Sequence, residues 1–156
     1  MIFFYYYADR LFLIEAGEKS QIWASMSLCW SENAQIHQKS AYPYLTAANL
    51  SARLWRHVTK GEVSVVLTVV YNEDNELEHV EKFADTFDSD PGIVVIPQKT
   101  TSLGCVLQSQ MSRMFVFTNT FIQEQDIILT TDVDIFVMSN KIVEPLKFDW
   151  LTWIYQ

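Results

Sequence analysis

The chain has 156 residues, 49% of them hydrophobic and 14% aromatic, and a formal net charge of −8. That length and apolar content suit a single domain with a real core and exclude a disordered or low-complexity segment. The acidic balance excludes a protein that grips nucleic acid through its phosphates, which needs a basic face. It leaves open a nucleotide held through a metal ion, whose charge reverses the local field.

In chain order, Met1-Ile2-Phe3-Phe4-Tyr5-Tyr6-Tyr7 is strongly apolar, and Asp9-Arg10 interrupts it. The run is too short to span a bilayer and lacks the basic start and small-residue cleavage site of a signal peptide. We therefore expect no transmembrane segment. Apolar residues recur at loose helical spacing from Ile22 to Trp30, and polar residues fill 31–40. Residues 1–43 are thus expected to form a helical or irregular extension, with the main domain at 44–156. Cys29 and Cys105 make neither a disulfide scaffold nor a zinc cluster. The expectation is two buried free thiols, with one bridge as the alternative in a secretory chain.

After Pro43, the residues Tyr44, Ala47, Ala48, Ser51, Leu54 and Trp55 fall on one helical face, with Arg53 and Arg56 off it. Asn49-Leu50-Ser51 matches a glycosylation acceptor pattern, but inside a helix we read it as coincidence. Val63 to Tyr71 is a continuous β-branched run, the pattern of a strand covered on both faces. Asn72 is placed to cap a helix whose first turn holds Glu73, Asp74 and Glu76, and whose buried stripe is Leu77, Val80, Phe83, Ala84 and Phe87. Asp88-Ser89-Asp90 reads as a solvated turn before Pro91-Gly92. A short strand follows at 93–96, closed by Pro97. Ser102 is placed to cap the next helix, with Leu103, Val106, Leu107, Met111, Met114 and Phe115 as its buried stripe.

The stretch 126–138, Asp-Ile-Ile-Leu-Thr-Thr-Asp-Val-Asp-Ile-Phe-Val-Met, then supplies the most specific pattern in the chain. An apolar strand ends on Asp132 and Asp134, spaced D-x-D, and more apolar residues follow. Along an extended backbone both aspartates point to one side and can share a cation. Carboxylates suit Mg²⁺ or Mn²⁺, ions that proteins use to hold phosphates. Carboxylates between apolar runs are also costly to desolvate unless a cation or donors compensate. Strand, helix, strand, helix, strand predicts an α/β fold with a mainly parallel sheet and flanking helices, with ligands beyond the carboxyl ends of the strands. His37, His57 and His79 lack metal-ligand spacing and read as solvated.

These residues resemble the N-terminal, donor-binding half of a GT-A-type glycosyltransferase, over roughly residues 44–147. Residues 63–73 (VSVVLTVVYNE) look like the first nucleotide-binding strand and its turn. Residues 110–115 (QMSRMF) are similar to the helix before the D-x-D, which often presents a basic side chain to the donor. Residues 126–138 look like the D-x-D strand itself. The resemblance implies a Rossmann-like nucleotide-sugar-binding half and glycosyl transfer from a nucleotide sugar, most plausibly a UDP-sugar. It implies Mn²⁺ or Mg²⁺ held by Asp134 assisted by Asp132, and Arg113 set against the phosphates or the sugar. It also implies a base received by backbone and side chains at Thr68 to Tyr71, Val69 among them, with Tyr71 offering a stacking face. The acceptor would be a glycan, protein or lipid, and the compartment of a eukaryotic member the Golgi lumen.

Only 22 residues follow Asp134, too few for the acceptor half of such an enzyme, so the chain is expected to be a truncated form. The aromatic run at 148–156 fits a lost C-terminal half or a cover for a sheet edge. Two rivals stand beside this reading. A phosphotransferase with Asp132 as nucleophile needs a lysine and a second acidic motif well downstream, and the chain ends too soon. A non-catalytic interaction module would keep the sheet with vestigial acids.

Overall fold

A computed structural model of the chain describes residues 20–30 and 42–147. The apolar Met1–Tyr7 run, His37 and the aromatic 148–156 run lie outside the described residues. Within them, four strands form one all-parallel sheet: β1 (Ile22–Trp30), β2 (Val63–Tyr71), β3 (Ile93–Lys99) and β4 (Ile127–Thr130). Their order is β3-β2-β1-β4. Helices α1 (Tyr42–Val58), α2 (Asp74–Asp85) and α3 (Cys105–Ser112) flank the sheet. This is the expected α/β, Rossmann-like arrangement. No described helix is long and apolar enough to cross a membrane.

Ile22–Trp30 corrects the sequence reading. It is a strand, not part of a helical extension, and it lies in the middle of the sheet. β1 pairs with β2 from Ile22↔Val63 to Trp30↔Tyr71, and with β4 from Ile22↔Ile127 to Ser25↔Thr130. Ile22, Ala24, Met26, Leu28 and Trp30 enter the main core, whereas Trp23, Ser25, Ser27 and Cys29 face the other way. Both faces are covered, so the strand shows no clean polar alternation and its apolar residues also satisfy a helical spacing. A boundary at 43/44 would leave the central strand on the extension's side.

Strand order fixes the side on which each helix lies. The chain moves from β1 to β2 to β3 in one direction, then returns past β1 to β4. Crossovers of one hand then demand that α3 lie opposite α1 and α2. The main core holds Ala48, Ala52 and Trp55 of α1 and Val80 of α2, packed on Val63, Val65, Leu67, Val69 and Tyr71 of β2. Helix α3 lies on the other face, where Cys105 meets Cys29 and Val70.

The rotation of α3 overturns a second expectation. Its predicted buried stripe is exposed, including Leu103, Val106, Leu107, Met111, Met114 and Phe115. Cys105, Gln108 and Ser109 are buried in its place. Cys29 and Cys105 form a disulfide with a Cα–Cα distance of 5.3 Å, so they are not free thiols. The covalent bond and the small side chains of β1 hold the small-residue side of α3 against the sheet.

Three local details also differ from the sequence reading. Helix α2 takes Glu73, not Asn72, as its N-cap. Buried Glu76 reaches back to accept from the amides of Asn72 at 2.8 Å and Glu73 at 3.0 Å, filling the orphan donors of the first turn. Helix α3 is capped by Gly104 at φ +77°, not by Ser102. Strand β3 runs through Pro97 to Lys99 rather than stopping before it. Gly92 and Thr100 bond β2, so alternation turns the nitrogen of Pro97 outward, where an edge strand tolerates proline.

Arg56 closes the amino end of the sheet. Its guanidinium pairs with Asp90 at 3.1 Å and donates to the carbonyls of Gly61 at 2.7 Å and Val63 at 3.0 Å. Asp90 also accepts from the Gly92 amide at 3.0 Å, so the Asp88–Asp90 turn is an anchor and not only a solvated loop. A Cβ on Gly92 would lie 2.1 Å from Arg56 Cζ.

Gly92→Ala is therefore expected to eject the guanidinium and destabilise the fold by about 1–3 kcal/mol. In an Arg56→Ala background the same substitution should cost little, so a double-mutant cycle read by urea unfolding should show strong coupling. The disulfide spans 76 residues of sequence. Reducing it, or replacing both cysteines by alanine, should lower stability by about 2–4 kcal/mol and move the urea midpoint down at unchanged ionic strength.

Candidate functional site

In a sheet ordered 3-2-1-4 the β1→β2 and β3→β4 crossovers run in opposite directions, and sheets of this kind bind ligands where the order reverses, at the carboxyl ends of β1 and β4. The last rung between them is the Thr131 amide donating to Ser25 O at 3.0 Å. β1 runs on to Trp30, but β4 stops at Thr130. The chain then turns, with the Ile135 amide donating to Asp132 O at 3.2 Å.

Asp132 and Asp134 are both exposed at this corner, and Val133 between them is buried in the main core. The backbone is a turn rather than the expected extended segment, yet both acids still face solvent because the valine must face inward. Water reaches both carboxylates, so no desolvation penalty demands a cation here. The apolar residues that follow form no second strand. Val137 is buried, whereas Ile135, Phe136 and Met138 are exposed. Ser51 of α1 donates to Ile135 O at 2.7 Å and ties this segment down. Ser51 itself is fully buried, which removes the Asn49 motif from use as a glycosylation acceptor in the folded chain.

Arg113 caps the carboxyl end of α3 and donates from Nη1 to Asp132 Oδ1. Its carbonyl accepts from Ser25 Oγ at 2.8 Å, which fixes the end of α3 to β1 beside the crevice. The fold thus brings together Arg113 and Asp132, two residues singled out separately in the sequence. Asp134 makes no ion pair among the described residues. No group of three or more His, Cys, Asp or Glu side chains gathers as a metal cage among those residues.

The three residues expected to receive a base do not share a surface. Strand alternation sends Thr68 to the α3 face and Val69 and Tyr71 to the α1–α2 face. Val69 is fully buried and Tyr71 is 8% exposed, so its ring is packed in the core and offers no stacking face. At the same end of the sheet Lys99 pairs with Asp74 at 2.7 Å. The hydrogen bond to that carboxylate holds the lysine pKa above its ordinary value. His57 and His79 are exposed, and His79 stacks on Trp30 with ring centroids 6.4 Å apart.

The third aspartate of the stretch has a different task. Asp126 is 3% exposed and accepts from the Gln21 amide at 2.9 Å, the Trp23 indole at 3.0 Å and the Gln123 amide at 2.9 Å. It fastens the start of β1 to the entry of β4. Its place at the head of an apolar run was visible in the sequence, but two of its three donors come from the start of β1, far away in the chain.

No family model matches this chain, and neither a curated protein nor a solved structure matches it. The carboxylates can still be sorted by experiment. Asp126→Ala leaves buried donors unpaired and should cost about 2–4 kcal/mol in urea unfolding. Asp134→Ala, at a solvated position, should stay within about 0.5 kcal/mol of the parent.

Proposed function

We propose that the chain binds a nucleotide-sugar donor, most plausibly a UDP-sugar, at the Arg113–Asp132–Asp134 corner and serves metal-assisted glycosyl transfer. The observation that carries this reading is the ion pair between Arg113 and Asp132 at the crevice where the strand order reverses. It sets a positive charge and two water-facing acids at the usual ligand position of such sheets. The residues fit a divalent ion of the Mg²⁺ or Mn²⁺ kind, which is commonly held by one or two carboxylates, keeps several waters and shares substrate phosphates. Asp134, with Asp132 beside it, would hold that ion, whose charge eases departure of the nucleoside diphosphate.

The chain's own side chains then exchange partners on binding. Arg113 leaves Asp132 for a phosphate oxygen, a strong charge-assisted contact, and Asp132 is released to assist Asp134. Ser25 keeps the end of α3 in place, so the guanidinium moves without moving the helix. The side-chain contacts to a base expected at Val69 and Tyr71 are dropped from this proposal because those side chains lie in the core. The first strand of the nucleotide-binding unit is assigned to β1, by its position in the sheet, in place of β2. The Cys29–Cys105 bridge fits an oxidising compartment such as the secretory lumen.

One observation favours a second reading. Helix α3 exposes Val106, Leu107 and Met111, and its flanks add Leu103, Met114 and Phe115, as a non-catalytic interaction module would. Calorimetric titration of UDP with Mn²⁺, and again with EDTA, separates the two. Saturable binding that needs the metal, disappears in Asp134→Ala and weakens about tenfold or more in Arg113→Ala is the expected result. A folded parent chain that takes up no UDP in Mn²⁺ would overturn the donor-site reading.

A further inference from the structure

On the α3 side of the sheet a cleft of about 480 Å³ opens between the helix and the β2–β3 edge. Its volume lies within the range of about 300–1,000 Å³ typical of small-molecule sites. Sheet order sets it to one side of the Arg113–Asp132 corner, and the two share only the end of α3, where Ser112 and Phe115 of the cleft flank Arg113. The cleft is floored by Thr68 of β2 and by Ile96 and Gln98 of β3, whereas the acidic corner follows β4 beyond β1.

The cleft is built from uncharged groups only. No Lys, Arg, His, Asp or Glu side chain lines it, so a phosphate or carboxylate would find no cation and an amine no counter-ion. Its polar groups are nonetheless specific. Thr68 is 3% exposed, its side chain lines the cleft, and its hydroxyl makes no hydrogen bond among the described residues. Gln98 Oε1 accepts from Ser112 at 2.6 Å, which leaves the amide N–H groups of Gln98 to donate. Asn119 Nδ2 donates to Val116 O at 2.7 Å, which leaves Asn119 Oδ1 to accept. Buried Gln108 bonds Thr101 N and Lys99 O and so stiffens the wall. A hydroxyl, a donor and an acceptor thus line the same cleft as the half-exposed ring of Phe115.

We propose that this cleft is a second binding site, one that takes an uncharged carbohydrate ring. A sugar presents hydroxyls that give and accept along its edge. It also presents a face of slightly positive C–H groups that suits the negative face of an aromatic ring. A purely apolar guest would leave Thr68, Gln98 and Asn119 unpaired. An extended peptide adding to β3 would meet the missing N–H of Pro97 on the outward edge. This site stands apart from the donor reading and needs neither metal nor nucleotide.

The test is a titration of the full chain with methyl β-D-glucopyranoside, methyl β-D-galactopyranoside and N-acetylglucosamine, each in EDTA without nucleotide. It is followed by ¹H–¹⁵N correlation spectra, with cyclohexanol as an apolar control. At least one sugar should shift the Thr68 amide and the Gln98 and Asn119 side-chain amides saturably, and cyclohexanol should bind at least about fivefold more weakly. Thr68→Val and Asn119→Ala should each weaken the sugar about fivefold, whereas Asp134→Ala should leave it unchanged. Asn119→Ala, at the surface, keeps the test valid if Thr68→Val does not fold. A dispersed spectrum with no saturable shift at these residues for any of the three sugars would overturn the proposal. So would cyclohexanol binding as tightly as the sugars.

Discussion

Helix α3 can rest on β1 only because that strand shows it small side chains at a matching pitch. Two strand residues advance about 6.7 Å and four helix residues about 6 Å. Ser25, Ser27 and Cys29 therefore meet Arg113, Ser109 and Cys105 in turn, with the helix antiparallel to the strand. One contact is a covalent bond, and the other two are serine hydroxyls donating to carbonyls of the last helical turns. Large side chains on this face of β1 would lift the helix away. The end of α3 would then leave the crevice, and Arg113 would no longer reach Asp132.

The acidic corner depends on a different constraint, the anchoring of one valine. Val133 is drawn into the core beneath α1, and Ser51 clamps the backbone two residues later. A residue on either side of an inward-facing valine faces outward, whatever its chemistry. The spacing of Asp132 and Asp134 thus has a packing cause, and their role in binding rests on the company of Arg113. That is why the ion pair, and not the D-x-D spacing, bears the functional argument.

Much of the architecture was legible because most elements had one dominant period. β2 is β-branched throughout, and α1 and α2 bury clean helical stripes, so pattern and packing agreed. β1 was misread because Ser25 and Ser27 are buried by a helix rather than by solvent-facing convention, and nine residues satisfy both a strand and a helix. Helix α3 was misread in its rotation. Its large apolar residues suggest one buried side, but the disulfide and the serines of β1 choose the side of Cys105 and Ser109, a constraint supplied by a strand 76 residues away. At the site, Arg113 and Asp132 were each singled out in the sequence, but their pairing was not, because it depends on where the end of α3 is fixed. The grouping of Thr68 with Tyr71 failed on simple alternation. The cleft residues gave no local signal, since Thr68, Gln98 and Asn119 come from three separate elements.

The disulfide also divides the molecule unequally. Cys29 and Cys105 close a covalent ring that contains α1, β2, α2 and β3, whereas β4 and the turn after it lie outside. β4 adds only four residues, paired on one side to β1. Local opening of this last strand would break few bonds, and the ring would stay intact. Slow amide exchange should then mark β1 and β2, and the fastest exchange among the strands should fall at Ile127–Thr130. The strand that leads into the turn of Asp132 and Asp134 is thus the part of the sheet that can loosen and re-form while the disulfide ring stays closed.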